Sequence, residues 1–138
     1  MIDPIDDTFG YVLMSLLLAK LIILKDNEKR KDYVIRYLVL CICIESGKNL
    51  FGKLRPDKSD NRSFPSGHSS NVWFVAAMYN FNIFVVLWAI AVGISRIMLR
   101  RHDIIDVIGG AVLGISVAKI RVNDTINYIK NINYQNKL

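Results

Sequence analysis

Little in this chain of 138 residues can cross-link or chelate. It holds two cysteines, Cys41 and Cys43, two histidines, His68 and His102, and three prolines. The cysteines stand two apart inside an apolar run, where a helix points them to different sides. No bond between them is expected, and both read as small apolar fillers. There is no disulfide framework and no zinc-binding spacing. Glycine is scarce, at eight residues, and 52% of the chain is hydrophobic, which excludes collagen-like and disordered classes. Internal repeats and low-complexity segments are absent. Met1 to Thr8 carries Asp3, Asp6 and Asp7 but no Lys or Arg, so no cleavable signal peptide is expected. Also missing is any clean apolar run of the roughly 20 residues that a membrane helix needs.

What is present is apolar sequence gathered in blocks with charge between them. Lys and Arg number 18 against 12 Asp and Glu, a net +6. At this length one domain is expected, over 1–138. Five apolar blocks can be marked: Phe9–Leu24, Tyr33–Ile44, Val72–Tyr79, Phe81–Leu99 and Ile104–Ile120. Lys20 and Arg36 interrupt the first two. Short spans can be completed by polar ends whose Lys and Arg side chains snorkel to the interface. The pattern predicts an all-α, polytopic membrane helical bundle of about five transmembrane helices. A soluble all-α bundle is the competing reading, but these blocks lack the polar face of a soluble amphipathic helix. Between blocks lie a charged turn, Lys25–Asp32, a long polar loop, Gly47–Gly67, a tight uncharged turn, Tyr79–Asn82, and the connection Arg100–Asp103. From Val122 onward the chain is a polar tail, expected to be frayed or interfacial.

If all five blocks cross, the long loop and the Arg100–Asp103 turn share one side of the membrane. Cations do not settle which side is cytoplasmic. Lys25, Lys29, Arg30, Lys31, Lys119, Arg121, Lys130 and Lys137 on one side balance Lys48, Lys53, Arg55, Lys58, Arg62, Arg96, Arg100 and Arg101 on the other. The tie breaks toward a cytoplasmic tail if Lys48, Arg55 and Arg96 are reserved for another task.

The loop side holds the residues for that task. Lys48 is followed after six residues by Arg55-Pro56, then Pro65-Ser66-Gly67-His68, then Ser95-Arg96 with His102 and Asp106 beyond. Three cations, both histidines, a glycine turn and a carboxylate make an inventory for holding and transferring phosphate. Arg matches phosphate oxygens with a planar fork. Gly67 opens a helix whose N–H groups can approach an anion. His102 and Asp106 lie four apart and share a helix face, so the carboxylate can orient the imidazole and stabilise its charged form. His102 then serves as nucleophile and His68 as general acid. Taken singly these residues have plainer uses: Lys48 and Arg55 as interfacial anchors, His68 as a cap, Asp103 as the cap of the fifth helix, Arg100 and Arg101 as headgroup contacts. A carboxylate inside an apolar block, as at Asp106, is costly and harder to dismiss. Gly110 and Gly114 form a small-residue packing pair, within the bundle or between subunits. No site role is expected for Trp73 or Trp88.

The three pieces KNLFGKLRP, PSGH and SRIMLRRHDIID, in that order over 48–106, resemble the signature of the type 2 phosphatidic acid phosphatase (PAP2) superfamily, with every signature position filled. The resemblance implies a PAP2-like core and metal-independent hydrolysis of a phosphomonoester or pyrophosphate through a phosphohistidine, with no cofactor. It implies His102 as nucleophile, Asp106 as its partner, His68 as acid, and Lys48, Arg55, Ser66, Gly67 and Arg96 as the phosphate cradle. Substrates of the family type include undecaprenyl pyrophosphate, phosphatidylglycerol phosphate, phosphatidic acid and a lipid A phosphate. The expected partners are that lipid phosphate and membrane lipids, with no nucleic acid. The implied setting is a multi-pass cell (inner) membrane, with the site on the periplasmic or extracellular face and the C-terminus cytoplasmic. Many membrane members have six spanning helices, whereas five blocks stand here, so a homo-oligomer in which a neighbour supplies a groove wall is an open alternative. The reading from a different class is a non-catalytic small membrane protein that binds anionic lipids through its basic loop.

Overall fold

The computed structural model describes residues 4–120 and residue 132; the rest of the expected tail, 122–138, lies outside the described residues. Five α-helices make up the regular structure of the described residues: α1 Pro4–Ile23, α2 Asn27–Phe51, α3 Gly67–Met78, α4 Ile83–Met98 and α5 Ile104–Ala118. All five match the apolar blocks in order. The clearest difference is α2, which extends well beyond Tyr33–Ile44 at both ends. Its charged start is helical because Asp26 caps it, accepting from the Glu28 N–H at 2.8 Å. The Lys31–Glu28 pair then lies one turn along the exposed face, and the Arg30 guanidinium reaches back to carbonyls at the end of α1. At the other end Gly52 takes the left-handed conformation (φ 52°) and closes the helix on the Lys48 carbonyl. Most of Lys25–Asp32 is therefore helix, and the long loop shortens to 52–66.

α3 is central. It is short, but nearly all sides are buried: Ser69, Ser70, Val72, Phe74, Val75 and Ala76 have almost no exposure. Phe74 and Val75 join Tyr33, Leu40 and Ile44 of α2, Leu13 and Leu17 of α1, and Val117 and Ala118 of α5 in one core. α3 and α5 run in the same direction and approach very closely. A Cβ at Gly110 would sit 2.5 Å from the Ser66 carbonyl oxygen, and one at Gly114 would run into the Ser70 carbonyl. Ser69 Oγ donates to the Val107 carbonyl at 2.6 Å across the same seam. The Gly110/Gly114 pair is thus spent inside the bundle, between α3 and α5.

The interrupting cations also find places. Arg36 pairs with Asp32 and donates to the Ala118 carbonyl at 2.6 Å, capping α5. Lys20 sits over the Tyr79 ring, 5.0 Å from its centroid. The tight turn after α3 is as expected, with Asn80 and Phe81 at positive φ and Asn82 capping α4. Among the described residues no helix is long and apolar enough to cross a membrane. The expectation of spanning helices meets 12, 16 and 15 residues in α3, α4 and α5. At 1.5 Å per residue these reach roughly 18–24 Å, against about 30 Å of hydrocarbon.

Candidate active site

Because α3 and α5 start at the same end of the bundle, and α2 and α4 finish there, the three sequence pieces converge. The α2–α3 loop is stitched to the α4–α5 loop across that end. Asp57 N–H donates to the Arg100 carbonyl at 3.1 Å, and Arg101 Nη1 pairs with Asp57 Oδ2 at 3.1 Å. Beneath them lies a cavity of about 260 Å³ lined by Lys48, Arg55, Asp60, Gly67, His68, Arg96, Arg101 and His102. Six of these were singled out by sequence.

Lys48 comes from the last turn of α2 and Arg96, almost wholly buried, from the last turn of α4. His68 occupies the first turn of α3, its Nε2 3.4 Å from Arg96 Nη1 and its ring 4.4 Å, centroid to centroid, from Phe9. Phe9 in turn stacks on Trp88 at 5.8 Å, which gives that tryptophan a place behind the site. Arg55 Nε pairs with Asp60 Oδ1 at 2.7 Å, so one cation of the cavity is already partnered by a carboxylate. The cavity remains cationic, and that is felt by His102. Burial above all, and then the Arg55 charge, hold the His102 imidazole far below its ordinary pKa, down to about 4. It is therefore neutral near pH 7, with an unprotonated ring nitrogen.

Two expected site residues do not line the cavity. Ser66 is fully buried; its side chain accepts from the Ser69 N–H at 3.4 Å as the N-cap of α3, and its N–H donates to the Asp106 carbonyl oxygen. Asp106 is fully buried behind His102. Its Oδ2 lies 3.8 Å from His102 Nδ1, too far for a hydrogen bond, and that nitrogen has no hydrogen-bond partner in the structure. The shared helix face expected from the four-residue spacing does not form, because His102 precedes Asp103, the N-cap of α5, and the pairing is one of proximity. A second reason is that both carboxylate oxygens are occupied: Oδ1 by Lys53 Nζ at 2.7 Å, Oδ2 by Ser63 Oγ at 2.5 Å and by the Asp103 N–H at 2.9 Å. Asp103 caps α5 as expected and also meets Lys53 Nζ at 3.1 Å. Sequence reasoning missed Lys53, Ser63 and Asp60, and gave Arg101 only a headgroup role. Nothing in their spacing sets them apart from other loop residues. Among the described residues no group of three or more His, Cys, Asp and Glu side chains is placed to hold a metal ion.

A model of the PAP2 superfamily matches residues 11–128. The chain belongs to the PAP2 superfamily. It is also similar to a lipid A 1-phosphatase of Porphyromonas gingivalis, 34% identical over 86 residues that make up 56% of this chain and 19% of that protein. The chain therefore spans about a fifth of the length of that relative. No solved structure matches it. All three sequence pieces reach the cavity.

Proposed function

We propose that this PAP2 protein is a phosphatase that hydrolyses a lipid phosphate or lipid pyrophosphate through a phosphohistidine on His102. One observation carries the reading: two imidazoles and four cations, Lys48, Arg55, Arg96 and Arg101, from distant parts of the chain line a single cavity. Lys48, Arg55 and Arg96 neutralise the non-bridging oxygens, with help from N–H groups at the start of α3. His102 presents its Nδ1 side to Asp106, which leaves Nε2 to attack phosphorus. The Nε2 lone pair forms the P–N bond as the P–O bond to the lipid breaks, and the departing oxygen takes a proton from His68. Water, giving a proton back to His68, then cleaves the P–N bond and frees phosphate.

A lipid leaving group fits the surroundings. A second chamber of about 260 Å³ shares Lys48, Gly67 and His68 with the cavity and continues past Phe9, Cys41 and Ile44. The outer faces of α4 and α5 are strongly apolar, with Phe84 and Met98 each 78% exposed and Leu87, Ile94, Ile105 and Ile108 beside them. Such faces suit a bilayer. The cavity then lies near the headgroup plane on the periplasmic or extracellular face, with short apolar helices accommodated by local thinning. The basic-loop binding alternative is weakened because cations of the loop and its neighbour are already paired: Arg55 with Asp60, Arg62 with Glu45, Arg101 with Asp57 and Lys53 with Asp103 and Asp106.

Phosphate release from phosphatidic acid, phosphatidylglycerol phosphate, undecaprenyl pyrophosphate and lipid A, presented in detergent micelles, tests the reading. Turnover of at least one is expected, inhibited by vanadate and lowered by roughly a thousandfold or more in His102→Ala. Turnover unchanged in His102→Ala removes the nucleophile assignment, and no turnover of any of them removes the phosphatase.

A further inference from the structure

Asp106 enters the chemistry only through His102, yet it is gripped by residues that do not line the cavity. The carboxylate has no solvent exposure, so water cannot sustain its charge. An ionised carboxylate in such a place persists only when paired and hydrogen-bonded. The Lys53 ammonium, the Ser63 hydroxyl and the Asp103 N–H supply those partners at 2.7, 2.5 and 2.9 Å. His102 contributes none of them; its Nδ1 waits 3.8 Å away without a partner.

We propose, resting on the phosphatase reading above, that Lys53 and Ser63 are positioning residues that keep the Asp106 carboxylate charged and aimed at the back of His102. When Nε2 bonds to phosphorus, the imidazole ring gains positive charge while Nδ1 keeps its proton. A negative charge held in place beforehand stabilises that ring without reorganising during the step. Lys53 performs a second act of alignment. By reaching both Asp106 and Asp103 it ties the loop after α2 to the start of α5, which directly follows His102. Ser63 does the same from the other end of the loop: its N–H donates to the Lys53 carbonyl at 2.9 Å, and its hydroxyl donates to Asp106. The α2–α3 loop thereby supplies cavity residues with one part and aligns the nucleophile with another.

The test uses the full-length protein in detergent and whichever lipid phosphate of the panel the wild type turns over fastest. Lys53→Met, Lys53→Arg and Ser63→Ala are compared with wild type for kcat, KM and the inhibition constant of inorganic phosphate, per amount of folded protein by size exclusion. Lys53→Met is expected to lose about ten- to a hundredfold in kcat, the usual effect of removing a group that orients a reacting residue. Its phosphate inhibition constant should stay within about threefold of wild type, since Lys53 does not reach the cavity. Lys53→Arg should recover most of the loss. Unchanged kcat, or a phosphate inhibition constant weakened as much as kcat/KM, overturns the proposal; the second result would make Lys53 a phosphate ligand. If Lys53→Met does not fold, Ser63→Ala decides by the same two constants. A wild type inactive on the whole panel defeats the phosphatase reading itself, which separates that failure from this one.

Discussion

At the scale of single residues, the cavity keeps one imidazole neutral and surrounds it with positive charge. The proposed mechanism needs His102 unprotonated for its attack. Burial first, and the Arg55 charge next, push its pKa down from 6.5 to about 4. The acid limb of kcat/KM set by His102 should accordingly lie near pH 4. In Arg55→Gln that limb should move to higher pH, because a cation that opposed protonation is gone, and KM should rise because a phosphate partner is gone. A limb that stays put in the variant would assign it to another group. The same depression bears on stability. The folded state prefers neutral His102 while the unfolded chain accepts a proton below 6.5, so this group's contribution is complete above 6.5 and is lost as pH falls toward 4.

Among the elements, α3 and α5 decide the geometry. Their parallel approach brings the starts of both helices to one end, beside the cations in the last turns of α2 and α4. It is possible only because Gly110 and Gly114 let the backbones meet. Gly114→Val should cost at least about 1–3 kcal/mol, since the added side chain meets the Ser70 backbone rather than a movable side chain. Thermal unfolding in detergent checks this, and a melting temperature equal to wild type would show that the seam can open freely. The cap of α3 makes a milder case. Ser66→Ala removes the oxygen that accepts from Ser69 N–H, at a cost of about 1 kcal/mol. If Ser66 acts only as a cap, KM for the lipid phosphate should stay near wild type; a large rise would return its side chain to the phosphate.

On the scale of the whole molecule, charged groups sit at both ends, those of the cavity at one and the start of α2 at the other, and apolar side chains cover much of the flank. Ile83, Phe84, Leu87, Ile90, Ile94 and Met98 leave α4 with an exposed apolar face along its full length. A surface of that kind draws other apolar matter to itself in water. The expressed chain should therefore stay with the membrane pellet through alkaline carbonate and come away with detergent. Recovery of monodisperse protein from carbonate without detergent would defeat the bilayer placement. The two loops pinned together by Asp57, Arg100 and Arg101 form a rim over the cavity.

The sequence by itself determined five helices in order, and six of the eight residues that line the cavity, because apolar blocks and fixed motif spacings are local properties of the chain. It also carried the start of the fifth helix, through Asp103 as its cap. It misjudged the extent of α2, since one carboxylate, Asp26, turns a run of charges into a first helical turn. It could not say whether Gly110 and Gly114 faced another subunit or α3, nor what Lys20 and Arg36 would touch. Only the tertiary structure decided that Ser66 is a cap and that Asp106 belongs first to Lys53 and Ser63 and stands 3.8 Å from His102. The physical reason is competition: a buried carboxylate accepts from whichever donors the fold brings nearest, and those donors come from a loop more than forty residues away in the chain.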